Sequence, residues 1–373
     1  MTAILPGIQP AESIAELARN GVIRAASPFA GDQIQPASLD LRLGRRAWRV
    51  RASFLPGQHH TVADRLTAIA LHEIDLTKGA VLETGCVYIA ELQEELALPT
   101  DLAAAANPKS STGRLDVFTR VIVDHSTAFD VIEAGYRGAL FAEISPRTFP
   151  ILVRTGSRLS QVRFRAGASR LDDASLTLLQ EKEKLVSNAA ASILDGVAVS
   201  VDLAGFRPAR PESGSRPLSG YRAKRHTGLV DIDRVGAYAI RDFWEPLEAD
   251  GSGQLVLDPD QFYILASREA IHVPPHYAAE MVPFDPLVGE FRVHYAGFFD
   301  PGFGNPEAGG TGARAVLEVR SRDVPFLIED GQTVARLVYE HMAARPAILY
   351  GAQSGSNYQA QGLKLSKHFV MEV

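Results

Sequence analysis

The chain has 373 residues, enough for two ordinary domains with a sizeable buried core. Its residues are 46% hydrophobic and 22% charged, with a net charge of −6 and no long block of either sign, which argues against a general nucleic-acid or anionic-membrane binder. A single cysteine, Cys86, excludes an internal disulfide framework and any multi-thiolate metal site, and no apolar run reaches the length of a membrane span.

The opening MTAILPGIQPAESIAELARNG lacks a basic segment followed by an apolar one, so it does not read as a secretory signal and a reduced cytoplasm is expected. Within it, Ser13 to Asn20 predicts a short amphipathic helix that stops before Gly21. Most of the chain beyond Gly21 predicts strand. GCVYIAEL, LDVFTRVIV and RLSQVRFR, and later ARAVLEVRS, VPFLIEDG and TVARLVYE, are short, rich in β-branched and aromatic residues, and punctuated by Gly, Pro or Asp. Between these groups, Asp173 to Ile193 has the Glu, Lys, Leu and Ala content of a helix, and Pro208 to Gly220 (PARPESGSRPLSG) has the composition of a linker. Many short strands with few helices predict a mainly β fold of the sandwich or barrel kind.

An internal repeat organises these elements. At a constant offset of 175 positions, Tyr88 falls on Tyr263, Pro99 on Pro274, Glu143 on Glu318, Pro150 on Pro325 and Gly156 on Gly331. At a different offset, PASLDLRLGRRAW (Pro36 to Trp48) echoes TGLVDIDRVGAYAIRDFW (Thr227 to Trp244). The expected organisation is a first β-domain over 1–170, a helical segment and linker over 171–220, and a second β-domain over 221–373.

Zinc deaminases, metalloproteases and zinc ribbons are excluded by the cysteine count and by the lack of H-E-x-x-H or H-x-E spacing; His59-His60 reads as an exposed loop pair. No G-x-S-x-G elbow, Walker loop or G-x-G-x-x-G is present. Two features remain. KSSTGR (Lys109 to Arg114) gathers two cations, three hydroxyls and a glycine, which suits either a polar turn or a cradle for phosphate oxygens. One lone carboxylate, Glu143 or Glu318, comes after a turn signal (EAGYRG or DPGFG) on an apolar strand in each copy, and its recurrence points to a pocket rather than to solvent.

Together these pieces resemble the dCTP deaminase family of the dUTPase-like superfamily, in a tandem-duplicated form. The matching segments are IQPASLDLRLG (Ile34 to Gly44), KSSTGRL, the STA…EAGYRG…AE hairpin, PILVRTGSRLSQVRF and the tail YGAQSGSNYQAQG from Tyr350. The resemblance implies two tandem dUTPase-like β-barrel or jelly-roll domains. It also implies hydrolysis of dCTP to dUTP and ammonia, supplying dUTP for dTTP synthesis, with a glutamate as general base. No metal or other cofactor takes part in that chemistry, and Mg2+ accompanies the triphosphate. By the same resemblance Lys109, Ser110, Ser111 and Arg114 bind phosphate, and Ala128, Tyr136, Ala296 and Asp300 meet the nucleoside. Tyr350, Tyr358 and Gln361 belong to the closing tail. Two arrangements stay open: a composite one using the first copy's phosphate motif with Glu318, and one using Glu143. The composite one is suggested because the second copy reads FDPLVGE where the first has KSSTGR. Also open are a bifunctional deaminase and dUTP pyrophosphatase or a dUTPase, a non-catalytic nucleotide-binding module, dTTP as a feedback ligand, and a homo-oligomer.

Overall fold

The computed structural model describes residues 4–188, 191–207, 216–283, 291–293, 297–321, 323–351 and 362–370. They form two compact units. The first comprises Met1–Ser169, Leu229–Val235 and His341–Ile348; the second comprises Arg170–Gly228, Gly236–Glu340 and Leu349–Val373.

In the first unit one sheet runs, in spatial order, Val131–Ile132, Leu102–Pro108, Ser160–Ala166, Ser38–Leu41 and Ile34–Gln35, with Gly7–Ile8 added against Ser160–Ala166. The other runs Val117–Val123, Arg137–Pro146, Val87–Ala97, Leu43–Val50 and Ala70–Asp75, with Ile23–Ala25 against Val87–Ala97. Along Arg137–Pro146 the side chains alternate faces, so Leu140, Ala142 and Ile144 share one face and Phe141, Glu143 and Ser145 the other. Leu140, Ala142 and Ile144 are fully buried, and withdrawing a Leu or Ile side chain from water contributes about 1.5–3 kcal/mol.

The second unit repeats this order. Phe298–Phe299, Tyr277–Pro283, Thr333–His341 and Val197–Ser200 form one sheet. Phe291–Val293, Ala313–Ser321, Phe262–Ile271, Leu218–Ala223 and Trp244–Glu248 form the other. Its core lies between the sheets, where Val197, Val199, Ala335, Leu337 and Tyr339 meet Tyr263, Leu265, Ala315, Leu317 and Val319.

The offset of 175 is visible bond by bond. Glu143 stands opposite Ile89, and Glu318 opposite Ile264. The Glu83 amide donates to the Tyr88 hydroxyl at 3.0 Å, and the Asp258 amide donates to the Tyr263 hydroxyl at 3.0 Å. Gly85 N donates to Pro146 O, and Asp260 N to Ser321 O, with Gly85 and Asp260 both in the left-handed region.

The second sequence echo does not hold. In the first unit Leu43 pairs with Leu92, and the Arg42 amide donates to Glu94; in the second, Val201 bridges Ser267 and the Ser200 amide donates to Glu269. The counterpart of Ser38–Leu43 is therefore the stretch around 197–201, not Thr227–Trp244. From the latter stretch, Val230–Asp231 instead pairs in parallel with Ile151–Leu152 of the first unit. The helix expected over 173–193 is shorter, Asp173–Glu183, stopped by Lys184 in the left-handed region. Of the stretch read as helix and linker (171–220), Val197–Ser200 and the start of Leu218–Ala223 are strands of the second unit, because each satisfies the backbone of a neighbouring strand.

Candidate functional site

KSSTGR folds as one short helical turn, Ser110–Gly113, in which Lys109 O accepts from the Thr112 and Gly113 amides. Ser111 and Arg114 are buried, while Lys109 and Ser110 are half-buried. The Lys109 ammonium is ion-paired with Asp40, which also receives Arg158 Nη1 at 3.4 Å. Arg158 Nη2 reaches Asp32 at 2.9 Å, and this hydrogen bond draws the Asp32 carboxyl below its ordinary value. Asp40 and Arg158 were not picked out from the sequence as neighbours of this turn. Both could have been, since Asp40 lies inside IQPASLDLRLG and Arg158 inside PILVRTGSRLSQVRF.

Ala128 and Tyr136 line one cavity of about 610 Å³ with Asp124, His125, Glu133 and Arg137. Burial first, and the Asp124 charge second, push the Tyr136 phenol upward, so it stays a donor and gives its proton to Ala139 O at 2.7 Å. Glu143 does not line this cavity. It occupies a transverse row of the sheet, Trp48, Ile89, Glu143, Arg120, and is 1% exposed. Its Oε1 accepts from Arg120 Nε at 3.2 Å and Nη2 at 2.5 Å. Sequence reasoning did not single out this arginine, since LDVFTRVIV was read only as a strand.

In the second unit the corresponding row is Tyr221, Ile264, Glu318, with Glu318 4% exposed. Tyr221 lines a cavity of about 550 Å³ together with Phe206, Trp244, Lys224 and Arg241. Asp300 and Tyr350 are brought into one neighbourhood: the Tyr350 amide donates to Pro301 O at 2.8 Å, and the rings of Phe303 and Tyr350 lie 5.7 Å apart. Ala296, Tyr358, Gln361 and the FDPLVGE segment lie outside the described residues.

Gly302 makes that neighbourhood possible. Its φ is +98°, and a Cβ there would lie 2.8 Å from Leu349 Cβ and 3.0 Å from Tyr350 N. Gly302→Ala is expected to lower stability by about 2 kcal/mol, since strain and collision act together. Gly309→Ala, at φ +77° with open space around it, should cost only about 1 kcal/mol of backbone strain. Chemical denaturation of both variants checks the contrast; equal losses would show that the packing against Tyr350 does not matter.

Among the described residues, no group of three or more His, Cys, Asp or Glu side chains is placed to hold a metal ion, and no helix is long and apolar enough to cross a membrane.

Two copies of one β-domain, each with a buried glutamate at the same strand position, define a protein built by tandem duplication. The family profile described as 2'-deoxycytidine 5'-triphosphate deaminase (DCD), C-terminal domain, matches residues 172–369, and the DCD N-terminal domain matches residues 5–168. The chain belongs to the dCTP deaminase family. It is 58% identical to a protein in a crystal structure described as 2'-deoxycytidine 5'-triphosphate deaminase from Agrobacterium tumefaciens, with a TM-score of 0.88 over 94% of this chain and 100% of that one. Among curated relatives, a dCTP deaminase of Halorubrum lacusprofundi is 31% identical over 160 residues, 42% of this chain and 75% of the relative. A "dCTP deaminase, dUMP-forming" of Beutenbergia cavernae is 33% identical over 141 residues, 38% and 70% respectively.

Proposed function

We propose that this chain hydrolyses dCTP to dUTP and ammonia, with Glu318 as the base and Lys109, Ser110, Ser111 and Arg114 as the phosphate contacts. The observation that carries the reading is the buried carboxylate repeated at one register in a chain of this family, against Ile89 in one unit and Ile264 in the other. Water adds across the C4–N3 bond of cytosine, its oxygen to C4 and a proton to N3. The carboxylate takes the water's proton. A proton then passes to the amino group, the C4–N bond breaks, and ammonia leaves as the C4 carbonyl forms. A carboxylate withdrawn from bulk water and close to the reacting base can serve both transfers in turn. Magnesium enters as a counterion of the triphosphate, as part of the substrate. The reduced cytoplasm is the compartment this chemistry and the free Cys86 thiol suit.

A second reading carries the reaction on to dUMP and pyrophosphate. It draws support from the carboxylates Asp124 and Glu133 on the hairpin cavity and from the dUMP-forming relatives. Incubation of the protein with dCTP and Mg2+, monitoring ammonia, dUTP and pyrophosphate together, separates the two. Ammonia and dUTP in equal amounts are expected. Pyrophosphate in step with ammonia would favour the second reading, and nucleotide binding with neither product would overturn both. Adding dTTP to the same assay reads feedback.

A further inference from the structure

The Glu143 carboxylate already has a planar nitrogen partner from its own unit. Arg120 presents Nε and Nη2 to Oε1, and the same Nη2 reaches Ser53 Oγ at 3.0 Å. The guanidinium lies over the Phe129 ring, 3.4 Å from its centroid, and 4.6 Å from that of Phe118. A plane of N–C–N atoms, held by a carboxylate at its edge and by aromatic rings on its faces, is the environment that suits a guanidinium. It would equally suit the N3–C4–amino edge of a cytosine protonated at N3, which presents the same N–C–N geometry.

The covering of this face is built as firmly as a core. Helix Val62–Ile69 begins at a reciprocal Thr61–Asp64 cap, and its Val62 amide donates to Asp124 Oδ1 at 2.7 Å. Val62 and Leu66 pack on Val50, Ile89 and Ile122, with Trp48, Phe54, Phe129 and Phe141 around them.

We infer that Arg120 fills, from within the chain, the place at Glu143 that a substrate's amidine edge would take. The first unit thus carries a carboxylate site occupied by its own side chain. This rests on the deaminase reading above, but the occupancy itself is tested without turnover.

The probe is methylguanidinium at millimolar concentration. Arg120→Ala removes the occupant and should lower the melting midpoint, and methylguanidinium should restore part of the loss in this variant while leaving the wild-type protein unmoved. In Glu143→Gln/Arg120→Ala the restoration should vanish, because the charged partner is gone. Glu143→Gln alone should keep dCTP turnover within about twofold of wild type. Two results overturn the assignment: equal shifts with methylguanidinium in wild type and Arg120→Ala, or a folded Glu143→Gln that loses turnover by about a hundredfold. If the wild-type protein releases no ammonia, the deaminase reading falls by itself, and the methylguanidinium contrast still decides whether Arg120 fills the site.

Discussion

Replacing Glu318 by glutamine is expected to lower dCTP turnover by about a hundredfold or more while leaving the fold intact. The amide has nearly the shape of the carboxylate but cannot take up the proton of the attacking water. Glu318 sits on Ala313–Ser321 between Leu317 and Val319, which are buried in the core between the sheets, so its own side chain faces the other way, along with Tyr221 and Ile264. An isosteric change there keeps the volume of the side chain. The readout is ammonia release at saturating dCTP, with the melting midpoint as control. A KM change at unaltered kcat would mean that Glu318 binds substrate without serving as the base. Unchanged kinetics would return the role of base to Glu143.

The strands were legible because their alternation is strong: Val87–Ala97, Ser160–Ala166, Ala313–Ser321 and Thr333–His341 all stand where short β-branched segments predict them. The 175-residue repeat was legible for the same reason, since Tyr88 and Tyr263 each hold a turn amide and so tolerate little change. Helix Val62–Ile69 was missed directly after the His59-His60 pair read as a loop, although Thr61-Val-Ala-Asp64 with Leu-Thr-Ala-Ile shortly after it is a capping signal that could have found it. The true partner of Ser38–Leu43 was missed for a physical reason. What the copies share there is a backbone amide bonded to a buried glutamate, and a backbone amide leaves no mark on residue identity. Arg120 was invisible for a third reason: whether an arginine in a strand faces water or a buried carboxylate depends on which residue stands opposite, and that is set by pairing across 23 positions.

That shared amide also leads to the largest stability difference expected between the two copies. Glu94 is fully buried; its Oε2 accepts the Arg42 amide at 2.8 Å, and its Oε1 accepts Arg42 Nε and Gln33 Nε2, both at 2.8 Å. Arg42 completes its bonding with Pro28 O and Ser27 O. In the second unit Glu269 accepts the Ser200 amide at the same 2.8 Å, but the arginine has become a serine whose hydroxyl donates to the other oxygen at 2.6 Å. Glu94→Ala is therefore expected to destabilise the first unit by about 3–5 kcal/mol, because it leaves a buried guanidinium without its counter-charge. Glu269→Ala strands only neutral donors and should cost about 1–3 kcal/mol. The two tryptophans, Trp48 in the first unit and Trp244 in the second, let each unit be tracked separately by fluorescence in urea, using Trp244→Phe and Trp48→Phe backgrounds. Losses of equal size would show that duplication kept the energetics along with the geometry. The expected inequality would show that one carboxylate has passed from holding an ion pair and a strand to holding the strand alone.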